Sequence, residues 1–406
     1  MVTSAEATTA LARTIRTITL GIAERHPLDE RTVARAGTFL REAQAAAEVA
    51  GYSVQTTRIA TRPLLADMGE RTDAEIVAYV AALQGYCDVH GITFCSLGPV
   101  PADDPVFATE RIALLPELLL PHEAMSATVQ LASLAHGVRY AAALPTARVI
   151  RALAEGGVNG EANFRFAALA CCEPGGPFFP QAYHLGAEWS VTLGMQTAGL
   201  VRETIAGLAA RVGPGLATLD GVEAEVRAAL LAAVAPASVV ASEVCGRAGY
   251  RFAGVDLSPA PLGNESMAAA IEAVGLGPFG GPGTLAVSAA LTAAIKSVPV
   301  ESVGYCGLML PVLEDRVLGE RCAEGHVSVA ALLAYSAVCG TGLDTVPLPG
   351  DAPEERIAAL LADVAALAAR LRKPLSARLF LVPGGQVGDM TRFTSPYLTN
   401  TRVMAL

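Results

Sequence analysis

The residues of this chain that could do chemistry are few, and they gather just beyond apolar runs. His184 is one of six histidines and follows the stiff loop EPGGPFFPQAYH. Such a loop can mount an imidazole for general acid–base work or metal ligation, or hold a histidine bonded to backbone. Asp256 stands near the end of the apolar run YRFAGVDL. A carboxylate there must be paired, metal-bound or wet, or must cap the loop after it. Asp344, in TGLDTVPLPG, completes a set of one histidine and two carboxylates that would suit a divalent ion, with no ligand spacing to fix it.

Cys339, in SAVCGTGLD, is the candidate nucleophile. A reactive thiolate needs a lowered pKa and a partner base, and the sequence shows neither, so a buried core thiol is the competing reading. GPFGGPGT (277–284) is a glycine-rich turn opening onto a helix, where free N–H groups attract phosphate or carboxylate. It matches neither a Walker loop nor G-x-G-x-x-G. Gly281, Gly283 and Thr284 are therefore read as a generic anion cradle, against a plain tight turn. Tyr183, Ser258 and Glu265 join them as substrate contacts, although a helix first-turn role would explain Glu265 as simply.

What must position these residues is an alternation of strands and helices. Strand patterns cover 16–22, 53–61, 91–98, 126–131, 164–172, 250–257, 301–313, 341–350 and 376–384. Helix patterns fill most of the intervals, including 29–51, 72–86, 105–117, 133–156, 187–211, 219–235, 265–275, 284–297, 314–337 and 353–372. About nine strands with helical crossovers imply a mostly parallel sheet with helices outside. Ligands of such folds bind beyond the carboxyl ends of the strands. The polar residues that follow each strand, Glu314 among them, form the candidate rim. A doubly wound sheet and a closed barrel both fit. The absence of a clean linker favours one domain over 1–406, an α/β barrel with helical insertions near 130–156 and 187–240.

Composition excludes several classes. Apolar residues make up 52% and charged ones 17%, so the chain can bury a large core and is not disordered. A net charge of −10 with no basic cluster argues against nucleic acid. No uninterrupted apolar run reaches about 18 residues, and AALLAAVAPASVVA carries Pro236. Glu6 and Arg13 interrupt any signal-like start. None of the eight cysteines forms C-x-x-C, so a structural zinc site is not expected and reduced, buried thiols are. A cytoplasmic protein with no membrane partner is the expectation.

RTITLGI, TRIAT, PFFPQAYH, RFAGVDLSPAP, GGPGT, AVCGTGLDTVPLPGD and VPGGQVGD occur in that order. Together they resemble the DUF711 family, related to the UPF0210 group of bacterial and archaeal proteins, over nearly the whole chain. The resemblance implies the ten-stranded α/β barrel of the pyruvate formate-lyase superfamily and a homodimer, and it implies no reaction. RAGY at Arg247–Tyr250 echoes a glycyl radical motif, but it lies mid-chain, leads into a strand and lacks the residue types before the glycine. No glycyl radical is expected. The expected activity is a non-radical enzyme of hydrolase or lyase type, acting on a small anionic molecule at the C-terminal mouth of the barrel. The alternative is a non-catalytic small-molecule binding or sensor protein on the same barrel.

Overall fold

The computed structural model describes residues 13–406; the reading of Glu6 lies outside them. The strands are β1 Thr14–Gly21, β2 Ser53–Ala60, β3 Cys95–Val100, β4 Met125–Ser133, β5 Gly137–Val138, β6 Phe166–Ala170, β7 Ser190–Met195, β8 Arg251–Asp256, β9 Gly342–Pro349 and β10 Leu375–Val382. They form one 10-stranded sheet in the order β8-β7-β1-β2-β3-β4-β6-β10-β9, with β5 paired to β4. Strands β1, β2, β3, β4 and β6 run parallel. So do β7 with β8 and β9 with β10. The two groups meet antiparallel at β1/β7 and at β6/β10. The α/β, mostly parallel expectation therefore holds.

The end strands β8 and β9 are not hydrogen-bonded to each other. Between them runs the segment 301–313, expected to be a strand. It is irregular, and its backbone pairing with β8 and β9 is limited to the isolated bridges Val255–Ser302 and Pro311–Asp344. Gly304 and Cys306 have left-handed φ values of 74° and 44°, which no regular strand admits. The other correction is β7. The stretch 187–211 was expected to be helical, but Ser190–Met195 is a fully buried strand and the helix Ala198–Val212 begins only after it.

The strands have two different faces. Ile18, Leu20, Ile59, Val129 and Leu379 belong to the large core shared with the helices. Helix Glu30–Val49 packs on β1 and β2, and helix Glu354–Leu371 on β4, β6 and β10. On the other face Ser126, Thr128 and Gln130 of β4 alternate with Ala127, Val129 and Leu131. A separate small cluster, including Ala167, Leu169, Phe178, Tyr305 and Met309, lies against that face. Helix starts follow sequence chemistry. Asp29 accepts from Thr32 N at 2.8 Å, and Thr72 forms a reciprocal capping box with Glu75.

Among the described residues one helix, Leu216–Ala248, is long and apolar enough to cross a membrane by length and composition. The helix pattern 219–235 ends before Pro236, which lies inside the helix. Here the helix packs on Ala198–Val212, on Thr284–Lys296 and on β8. Val222, Val226, Leu230 and Val234, buried at a four-residue spacing, supply the contact face.

Candidate active site

Three strands of this sheet carry an arginine in an otherwise uncharged run: Arg16 in TIRTITLG, Arg58 in SVQTTRIA and Arg378 in LSARLFLV. All three are buried. Their side chains reach a common cavity of about 80 Å³, together with Arg165, Glu314 and Asp344. Phe94, Phe164, Phe178, Phe179 and Met309 supply apolar wall, and Gln181, Tyr305, Thr341 and Ser376 supply polar groups.

The charges there are arranged unevenly. Arg378 is doubly paired, Nε to Asp344 Oδ1 at 2.7 Å and Nη2 to Glu314 Oε1 at 2.5 Å. Arg16 donates to the other Glu314 oxygen at 3.3 Å and to Gln196 Oε1 at 3.4 Å. Burial pushes the Glu314 carboxyl up, opposed first by Arg378. The two carboxylates thus hold each other's arginines in place. Arg58 has no such partner. Its Nε donates to Thr56 Oγ1 at 3.1 Å, and its guanidinium lies 4.9 Å from the Phe94 ring centre and 5.0 Å from that of Phe179. No carboxylate pairs with it among the described residues. Burial, with Arg16 and Arg378 nearby, lowers it to about 9, so it stays charged at neutral pH.

The neutral groups are oriented by backbone. Thr341 Oγ1 donates to Leu308 O and Ser376 Oγ to Thr341 O, both at 3.0 Å. Tyr305 is buried, and burial raises its phenol well above the ordinary value, so it is a neutral donor. Gln181 is 97% buried at 3% exposure and its Oε1 has no hydrogen-bond partner.

Of the candidate site residues named from sequence only Asp344 lines this cavity, joined by Glu314 from the candidate rim. Asp256 is fully buried and is a loop clamp. It accepts from Ser258 N, Ser258 Oγ, Tyr305 N and Cys306 N at 2.9, 2.6, 2.8 and 3.1 Å. Ser258 Oγ in turn accepts from Gly307 N at 3.1 Å. These two residues hold the irregular segment that carries Tyr305 into the cavity. Burial raises the Asp256 carboxyl, against the pull of those donors. Glu265 accepts from Gln196 Nε2 at 2.8 Å and reaches the cavity only through the Gln196–Arg16 contact. Tyr183 donates to Cys172 O at 3.0 Å.

Cys339 is fully buried, and burial raises its thiol, the opposite of what a nucleophile needs. In the glycine-rich turn, Thr284 Oγ1 accepts from Gly280 N at 3.0 Å and Thr284 N donates to Gly281 O at 3.2 Å, so the turn satisfies part of itself. Gly283 precedes the helix in a left-handed conformation with φ 97°. Gly281, Gly283 and Thr284 do not line the cavity. Among the described residues no group of three or more His, Cys, Asp or Glu side chains is placed to hold a metal ion, so the His184, Asp256, Asp344 set is not assembled.

His184 lies outside the cavity as well. Its Nε2 is 3.0 Å from Glu188 O and its Nδ1 is 3.4 Å from Ser190 Oγ, while its own N–H donates to Thr61 O at 3.0 Å. Burial lowers its pKa. It is a neutral strut between the loop and the sheet. Replacing it with alanine is expected to cost about 1–2 kcal/mol of stability, from the orphaned carbonyl and lost packing. Anion affinity should be unchanged. Thermal unfolding and calorimetric titration of His184→Ala check both.

The family description "Uncharacterised ACR (DUF711)" matches residues 9–395. A UPF0210 protein of Pyrobaculum islandicum is 32% identical over 358 residues, covering 84% of this chain and 76% of the relative. One from Methanopyrus kandleri is 28% identical over 405 residues, covering 92% and 87%. One from Oenococcus oeni is 26% identical over 401 residues, covering 93% and 88%.

Proposed function

The chain belongs to the DUF711 family, and from its cavity we propose that it binds a small anionic metabolite inside the curled sheet and acts on it by polar, non-radical chemistry. The observation that carries this is Arg58, a buried guanidinium in a cavity wall with no salt-bridge partner among the described residues. A charge taken out of water needs an ion partner, and an incoming anion supplies one. Calorimetric titration with phosphate, sulfate and acetate tests the reading. Saturable binding at one site, lost in Arg58→Leu, is the expected result. Binding untouched by that substitution would place the anion elsewhere.

The chemistry we assign is hydrolase- or lyase-type proton transfer. Asp344 accepts from Arg378 through Oδ1 alone, which leaves Oδ2 without a protein donor among the described residues and on the cavity wall. It is the candidate base, and the Tyr305 phenol is the candidate hydrogen-bond donor. Asp344→Asn is expected to lower turnover of a bound substrate by about 10²–10⁴-fold while the ligand still binds. One observation favours the non-catalytic alternative: Arg16 and Arg378 tie down Glu314 and one oxygen of Asp344, as a purely binding site would. Binding with no turnover of the bound ligand by the wild type would decide for it, whereas turnover unchanged in Asp344→Asn would place the base elsewhere.

We read the curled sheet as a barrel of the pyruvate formate-lyase type. Its support is the two parallel groups joined antiparallel, with 301–313 filling the gap between β8 and β9. A homodimer in the cytoplasm remains part of the proposal, and light scattering of the purified protein measures the dimer.

A further inference from the structure

We infer that the cavity takes a dianionic oxyanion, a phosphate monoester or inorganic phosphate, with Arg165 as a second anion ligand beside Arg58. This rests on reading the cavity as an anion site. The charge count comes first. Four arginines line the cavity, Arg16, Arg58, Arg165 and Arg378, against two carboxylates, Glu314 and Asp344. Arg16 and Arg378 are salt-bridged to those carboxylates. Arg58 and Arg165 have no salt bridge among the described residues, so the wall carries an excess of two positive charges.

The donor count agrees. Arg165 spends only Nη1, on the carbonyls of Leu119, His122 and Met125 at 2.6, 2.7 and 3.0 Å. Its Nε and Nη2, and both terminal nitrogens of Arg58, have no protein acceptor among the described residues. The unpartnered atom of buried Gln181 is its Oε1, an acceptor, and so it does not add to this donor count. The hydroxyls of Thr341 and Ser376 already donate to carbonyls. The unfilled demand is therefore for acceptors in several directions. A phosphoryl dianion presents three acceptor oxygens, and guanidinium forks match its geometry. A carboxylate brings two oxygens and one charge.

Volume sets the size of the ligand. At about 10–15 Å³ per water-sized position, a cavity of about 80 Å³ holds about six non-hydrogen atoms. Methyl phosphate and inorganic phosphate fit that limit.

Titration of the full chain with methyl phosphate, inorganic phosphate and propionate tests the inference. Methyl phosphate should bind at least tenfold more tightly than propionate at pH 8. Arg165→Gln should reduce that preference at least fivefold while propionate affinity stays within twofold. Because Arg165 also pins three carbonyls, Arg165→Lys serves as a second variant; its ammonium can keep those bonds but not the fork, and the same loss of preference is expected. Inorganic phosphate binding more tightly than methyl phosphate would identify the free ion as the ligand; the reverse would identify an ester, and either agrees with the dianion. Propionate binding as tightly as both phosphates would overturn the dianion while leaving the anion site standing. No binding of any of the three to the wild type would overturn both.

Discussion

Arg58→Leu is expected to make the empty protein more stable while removing its ligand site. The two effects share one cause. In the unfolded chain the guanidinium is hydrated; in the fold it is 8% exposed and faces two arginines across a cavity without a carboxylate of its own. Its drop from the ordinary arginine value to about 9 corresponds to an upper limit of about 5 kcal/mol of destabilisation at neutral pH. Lost stacking on Phe94 and Phe179 offsets part of this. A net gain of about 1–3 kcal/mol is therefore expected, read as a higher Tm for the variant without ligand. The sign with pH follows from the direction of the shift. Below about 9 both states are protonated and the penalty is fully present; from about 9 up to the ordinary arginine value the fold sheds the proton first and the penalty fades. The advantage of the variant should shrink as pH rises through that window. Anion affinity of the wild type should fall over the same range, about tenfold per pH unit above 9, because the site must regain a proton to bind. Added ligand reverses the order of stability, since it stabilises only the wild type, by about 4.1 kcal/mol at a thousandfold excess over Kd. A variant that is less stable than the wild type at pH 7, without ligand, would mean that Arg58 is structural and the site is misassigned.

Much of the scaffold was legible in the sequence. Eight of the nine strand patterns correspond to β1, β2, β3, β4, β6, β8, β9 and β10, because alternation and flanking turns mark strands buried by helices. The exceptions have physical reasons. In AEWSVTLGMQTAGLVRETIAGL the apolar residues of β7 run directly into those of the next helix, so no break in hydrophobicity separates the two. ESVGYCGLMLPVL is apolar enough for a strand, but its backbone donors are captured by Asp256 and Ser258 side chains rather than by a neighbouring strand.

The site was less legible, because the reading looked past the ends of strands and the cavity lies against their inner face. Glu314 was reached since it follows the run 301–313, and Asp344 was reached although it sits near the start of β9. Arg58 and Arg378 were in view all along, in SVQTTRIA and LSARLFLV, on the same parity as Thr56 and Ser376. A charged residue in the polar register of a strand buried on both faces is the signal that could have found them. Arg16 was harder, since β1 changes register against β7 between Ile15 and Thr17, which breaks the alternation at that point. Asp256 misled for the opposite reason. A carboxylate ending an apolar strand does need partners, and here the chain supplies four of its own.

Arg378→Met should be the most destabilising single change in the cavity. It removes the guanidinium shared by Glu314 and Asp344 while leaving both carboxylates against the same wall. Glu314 keeps Arg16 at 3.3 Å, a longer contact, and Asp344 keeps no salt-bridge partner among the described residues. Breaking a buried pair from one side costs about 3–5 kcal/mol, because the charge left behind has lost both its water and its partner. For a chain of this size that is a clear fall in Tm, measurable by calorimetry at pH 7.5. The deficit should narrow in acid. Burial already raises Glu314, and Arg378 is the first influence holding it down, so the variant's Glu314 carboxyl titrates at higher pH than the wild type's. A carboxyl whose folded pKa lies above its unfolded value binds protons first in the fold, so stability is regained as pH falls through the folded value toward about 4.5. The second substitution separates this account from lost packing. Arg378→Met combined with Glu314→Gln removes one stranded charge and should recover about half of the loss at pH 7.5, with little left to recover at pH 5. A double variant as unstable as the single one at both pH values would show that Arg378 acts by filling space between Phe164 and the sheet, not by balancing charge.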